Sequence, residues 1–202
     1  LARGRYEDAR KIINDFLVGD PKNDKIREFL GFIDGVEGSA KRIATLEQQV
    51  QGGRMEVNAA LELVTLYRRL NRWPQFDRMM QDLLAQPSLP PPVYLQLGRL
   101  AYEAQRIPML DAALVRYTTL QPNDPNGWIE LGGVRLALGK PDDSMAALQN
   151  AVRAGGQPVR DQLRQDNRFG GLHQRPDFQQ LVAPQLPQGP VQLPGTLKDL
   201  LR

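Results

Sequence analysis

Residues 127–140 read "GWIELGGVRLALGK", and 34 positions earlier residues 93–106 read "VYLQLGRLAYEAQR". Leu131-Gly132 falls on Leu97-Gly98 and Trp128 on Tyr94. A further step of 34 back from Leu97 lands on Leu63 in "ALELVTLYRRLNR" (60–72), where Val64 takes the glycine's place and Tyr67 supplies an aromatic ring. A period of this length accommodates one helical hairpin. Each copy continues into a second apolar-periodic segment that a proline helps to open: "RWPQFDRMMQDLL", "RIPMLDAALVRYTTL" and "GKPDDSMAALQNAV", with Pro74, Pro108 and Pro141 in the first turn. Proline suits that place because its missing N–H would have no intrahelical partner there.

The aromatic-x2-Leu-Gly pattern of the first segment and the small residues of the second resemble the tetratricopeptide repeat family, in the form of bacterial arrays that end in a cap. The best copy starts at Pro125 and carries Trp128, Leu131, Gly132, Gly139, Leu148 and Ala151 at family positions, with Ser144 for the usual alanine and Arg135 for the usual tyrosine. The copy at Pro91 keeps Tyr94, Leu97, Gly98 and Pro122; the copy at Val57 keeps Leu63 and Tyr67 but neither glycine. The resemblance implies an all-α fold, a right-handed superhelix of antiparallel helix-turn-helix repeats.

The register extends in both directions. Residues 1–23 read as the second helix of a further repeat, with Gly4, Ala9 and Pro21 in register and its first helix expected upstream of Leu1. Residues 24–56 are expected to be a degenerate repeat, 57–90, 91–124 and 125–158 full repeats, 159–183 a helical cap, and 184–202 a proline-rich tail with a short amphipathic end. The cap follows from Val159, Leu163, Phe169, Leu172, Phe178 and Leu181 without a Leu-Gly pair, since a terminal hairpin needs its apolar face covered.

Within 24–56 two readings compete. The register puts Leu30-Gly31 on the Leu-Gly pair and Gly38 at the inter-helix turn, with Ser39 as N-cap of a second helix. Yet Ile26, Phe29, Ile33, Val36, Ala40 and Ile43 also follow the spacing of one long helix. Interior glycines, each costing about 1 kcal/mol against alanine, favour the hairpin.

Composition narrows the function. The 202 residues carry 26 basic and 23 acidic side chains, well mixed, which gives no nucleic-acid footprint. No cysteine is present, so thiolate metal sites and cysteine nucleophiles are excluded, and the compartment stays open. No apolar run reaches the ~20 residues that span a bilayer, so membrane insertion is not expected. The glycines around "GFIDGVEGSAKR" (31–42) do not make a phosphate loop: five after Gly31 stands Val36, and five after Gly35 stands Ala40. The single histidine, His173, and the serines at 39, 88 and 144 lie at predicted turns and the cap, which makes a Ser-His couple or a zinc site a poor fit. Neither an enzyme nor a cofactor is expected.

At ~100° per residue, positions 2, 5, 9 and 12 of each first helix face away from the hairpin-packing positions. In the family these outward positions line the inner groove. They give Leu61, Thr65 and Arg68 with neighbouring Arg69 in one copy, Leu95, Arg99 and Tyr102 in the next, and Asn126 and Ile129 in the third. The resemblance therefore implies a scaffold whose groove takes a peptide or protein segment, acidic and with apolar anchors. The same stripe would also suit the chain's own tail or a second copy, in an accessory domain of a larger enzyme or membrane protein. The lysine, asparagine and arginine clamp of chaperone-binding members is missing, its places being held by Glu28, Phe32, Glu62, Pro92 and Gln96.

Overall fold

The computed structural model describes residues 2–51 and 56–184. In chain order the helices are α1 (Ala2–Gly19), α2 (Asp24–Gln51), α3 (Val57–Arg69), α4 (Trp73–Ala85), α5 (Pro91–Glu103), α6 (Ile107–Leu120), α7 (Pro125–Ala137), α8 (Pro141–Gln165), a 3-10 helix (Asn167–Leu172) and α9 (Pro176–Val182). No strand occurs among the described residues, and the class is all-α. The first helices α3, α5 and α7 and the second helices α4, α6 and α8 each start at intervals of 34 residues.

The turns inside these hairpins repeat one geometry. Asn71, Gln105 and Gly139 hold the left-handed conformation at φ 54°, 56° and 71°. In each, the next residue's N–H reaches back to a carbonyl of the preceding helix: Arg72 to Tyr67 (2.7 Å), Arg106 to Ala101 (2.8 Å) and Lys140 to Arg135 (2.9 Å). This is the helix-ending motif that a glycine favours, so only the third copy has the residue of least strain. The first two reach the same geometry with asparagine and glutamine.

Where helices approach closely, glycine has a steric reason. A Cβ on Gly132 would stand 2.8 Å from Leu148 Cδ2, and one on Gly98 would stand 3.3 Å from Leu110 Cδ1. Ser144, fully buried in α8, donates its hydroxyl to the Gly132 carbonyl at 2.8 Å, which is how a polar residue replaces alanine at this contact.

The hairpin expected over 24–56 is not formed. Residues Asp24–Gln51 are one α-helix, and Ser39 caps nothing: its hydroxyl donates to the Gly35 carbonyl one turn back, at 2.8 Å. Gly31, Gly35 and Gly38 have open space where a Cβ would lie. The physical reason is a seam at alternating three and four spacing, Phe29, Phe32, Val36, Ser39, Ile43, Leu46 and Val50, that runs through Gly38 without a break. Ser39, Ile43 and Leu46 are buried on it, and a turn at Gly38 would divide it.

Two compact units, Leu1–Ala113 and Leu114–Arg202, divide within α6. In the first, Arg10 of α1 binds Asp34 (2.7 Å) and Glu37 of α2, and Lys41 binds Glu37 from the following turn (2.7 Å). These hydrogen bonds hold the largely buried Glu37 carboxyl below the usual carboxylate range. Arg42 clasps Glu62 of α3 with two bonds of 2.6 Å. Leu63, Tyr67, Phe76, Met80 and Leu83 fill the α3–α4 core, and Arg106 covers the Trp73 ring at 5.1 Å while binding Asp77 at 2.8 Å.

The second unit is built on α7 and α8. Asp124 caps α7 through the Asn126 N–H and accepts the Tyr117 hydroxyl at 2.6 Å. Gly156, at φ 63° and ψ −142°, kinks α8 ahead of Pro158, so its last turns fold back on the hairpin. They bring Val159 and Leu163 into one core with Ile129, Met145, Leu148, Phe169 and Phe178. Arg160 and Arg164 donate to the Leu181 and Val182 carbonyls, satisfying the end of α9.

Candidate functional site

The nine expected groove residues divide sharply. On α5, Leu95, Arg99 and Tyr102 share one side by their four- and three-residue spacing, and all three face solvent, Leu95 at 43% and Tyr102 at 66% exposure. On α3, Thr65 and Arg69 are exposed and Arg68 is half-buried. The Thr65 hydroxyl is turned back onto the Leu61 carbonyl at 2.9 Å.

One acidic residue joins the two helices. Glu103 accepts from Arg68 at 3.1 Å and from Arg99 at 3.0 Å, so a single carboxylate serves two guanidinium groups. Arg68 keeps a buried Nε with no hydrogen-bond partner. The cluster carries one net positive charge, and Arg69 on α3 adds a second. Exposed guanidinium groups beside an aliphatic and an aromatic side chain can hold a carboxylate and an apolar side chain together.

The expected apolar stripe, however, is not continuous. Leu61 is 7% exposed and Ile129 is 1% exposed, so only Leu95 remains of the three. Leu61 neighbours Glu62, where Arg42 fastens α2 along α3. Ile129 belongs to the core that contains Phe169, and the outward side of α7 is overlaid by the 3-10 helix: a Cβ on Gly133 would lie 4.0 Å from the Phe169 ring. Arg168 spans the same side, binding Glu130 at 2.9 Å and Asp166 at 2.7 Å. Asn126 stays exposed, at the α7 N-terminus and apart from the α3–α5 residues in sequence and in unit.

Glu103 escaped the sequence reading, although its place four residues after Arg99 is a helix ion-pair spacing. Exposed Phe16 on α1 escaped it too, and Phe29 and Phe32 on α2 are exposed beside it in the same helix pair. A separate cleft of about 220 Å³ lies between α2, α3 and α4, lined by Glu47, Val50, Leu63, Tyr67, Gln75, Arg78, Met79 and Asp82. Leu63 and Tyr67 lie two residues either side of Thr65, on the opposite side of α3, which separates the cleft from the candidate face. Burial and a 2.8 Å bond to Glu47 push the Tyr67 phenol well above its ordinary range.

The His173 ring lies tilted against Phe178 at 5.4 Å, and its buried Nε2 has no hydrogen-bond partner among the described residues. No group of three or more acidic, histidine or cysteine side chains there could hold a metal ion. No described helix is long and apolar enough to cross a membrane.

This arrangement defines a class: an all-α protein of repeated helical hairpins, a tetratricopeptide-like repeat fold. No family model matches the chain, and no curated protein matches it. Similar solved structures are of MamA. One is 14% identical over 69% of this chain and 82% of its own, with a TM-score of 0.45. A second is 15% identical over 82% and 88%, with a TM-score of 0.42. A third, MamA AMB-1, is 20% identical over 78% and 91%, with a TM-score of 0.42.

Proposed function

We propose that this protein is a non-catalytic interaction scaffold that takes a peptide or protein segment on the outward side of α3 and α5. The observation that carries the reading is the Arg68–Glu103–Arg99 cluster flanked by exposed Leu95 and Tyr102. Two guanidinium groups on one carboxylate leave donors over for an incoming carboxylate, and the flanking side chains offer an apolar anchor place. The ligand is thus an acidic segment with one or two apolar side chains, and its site is shorter than the three-repeat stripe expected from sequence. Binding selection from a displayed peptide library by the intact chain tests this. The selected peptides should be acidic with an aliphatic or aromatic residue, bind more weakly as salt rises, and lose affinity to Leu95→Asp and Arg99→Asp. Selection of basic peptides, or binding indifferent to both substitutions, overturns the reading.

A second reading is supported by the burial of Ile129 beneath the chain's own cap. The chain already covers one outward apolar position itself, so an accessory or assembly domain whose remaining face is occupied by its own tail is the alternative. Truncation before Gln185 would then raise the exposure of Leu95, read by hydrogen exchange. The end of the tail, "TLKDLLR", lies outside the described residues.

A further inference from the structure

The α2 seam is longer than the helix that covers it. At Ser39, Ile43 and Leu46 it is buried, at 8%, 1% and 1% exposure, where α3 runs alongside. But α3 has 13 residues and α2 has 28, and toward the start of α2 the seam emerges as Phe29 at 55% and Phe32 at 65% exposure. Their rings stack with centroids 6.3 Å apart, an apolar pair held in water.

Helix α1 enlarges this surface. Ile13 and Ile33 are buried and Arg10 bridges to Asp34 and Glu37, which marks the sides that α1 and α2 turn to each other. At ~100° per residue in two antiparallel helices, Ile12 and Phe16 fall on the same side of that contact as Phe29 and Phe32. Ile12 is 58% and Phe16 is 64% exposed. With roughly 200 Å² for each aromatic side chain and somewhat less for isoleucine, the four leave roughly 450 Å² of apolar surface that no described residue covers. That is as large as the principal patch of an ordinary monomer, and such patches mark association sites.

We propose that two copies of this chain associate through this face, the N-terminal halves of their α2 seams and the adjoining sides of α1 laid together about a two-fold axis. The area fits: two such patches remove roughly 900 Å² before the polar rim is counted, close to the ~1,000 Å² that a specific interface requires. The rim fits as well, since Asp8, Lys25 and Glu28 are exposed one helical turn before Ile12, Phe29 and Phe32 and carry both signs of charge. A rim of mixed sign with a small net charge adds little repulsion between two copies and offers a strongly charged partner no complement. A self-complementary patch on both copies is the arrangement that a two-fold dimer uses.

Sedimentation of the full chain tests this, with Phe16→Glu, Phe32→Glu and, as a control on the other candidate face, Leu95→Asp. The expected result is a concentration-dependent dimer that Leu95→Asp leaves intact. Either Phe substitution should weaken it roughly 30-fold or more while helix content is unchanged. A chain still monomeric at about 200 µM overturns the proposal, as does a dimer indifferent to both Phe variants or one dissolved by Leu95→Asp. Should the Phe variants lose helix content, hydrogen exchange of the unaltered chain at low and high concentration decides instead. Protection that grows with concentration on α1 and the first half of α2 supports the interface, and unchanged protection there overturns it.

Discussion

Gly132 and Leu148 stand so close that a Cβ on the first would lie 2.8 Å from the second, whereas Gly31, which the repeat expected over 24–56 puts on the same Leu-Gly position, has nothing within 4 Å. Equivalent residues in sequence therefore have opposite steric surroundings. Gly132→Ala forces Leu148 to shift and should destabilise the second unit by about 1–3 kcal/mol. Gly31→Ala, in an exposed helix interior, should stabilise the first by up to about 1 kcal/mol. Denaturant midpoints of the two variants check both signs.

The continuity of α2 can be measured directly. Spin labels at Glu28 and Gln48 should lie about 30 Å apart along a straight helix axis, against about 10 Å between the helix axes of a hairpin closed at Gly38. A distance distribution centred at the short value would remove the long helix and, with it, the seam on which the dimer rests.

Leu95 and Ile129 occupy the same repeat position but should respond differently to truncation. Ile129→Ala opens the core around Phe169 and is expected to cost about 2–5 kcal/mol. Leu95→Ala, on an exposed side of α5, should stay within about 0.5–1 kcal/mol and affect ligand affinity instead. Equilibrium unfolding of each variant is the measurement.

The cap should loosen in acid. Asp166 accepts from the Arg168 guanidinium and from the Arg168 N–H, and these bonds hold its carboxyl below the ordinary range. A carboxyl whose folded pKa is depressed contributes fully above its unfolded value and loses that contribution as pH falls through the folded one. Exchange protection of the 3-10 helix should therefore decline as pH drops below about 4. Asp166→Ala should lower protection at neutral pH, by roughly 1 kcal/mol, and flatten the decline.

Much of the architecture is legible in local pattern. The 34-residue step places α3 to α8, Pro125 and Pro141 open helices, and the Leu-Gly pairs at Leu97 and Leu131 mark close helix contact. The turn at Gln105 is harder to read, because the fold imposes a left-handed conformation on a residue that does not advertise it, whereas Asn71 is the usual substitute for glycine there. On the candidate face, helical periodicity supplies the direction in which Leu61, Leu95 and Ile129 point. It says nothing of which distant segment arrives there.

What the sequence determined by itself is the class: an all-α chain of hairpins, because helix period, proline placement and glycine contacts act within one repeat. Tertiary structure alone decided which outward positions stay open. Ile129 is closed by a core that includes Phe169, forty residues on, while Leu95 has no such cover. It decided as well that residues 24–51 form one helix, since the local penalty of Gly31, Gly35 and Gly38 is offset by a seam whose buried half rests on α3. Local propensities act between neighbours in the chain; burial depends on contacts between residues far apart in it.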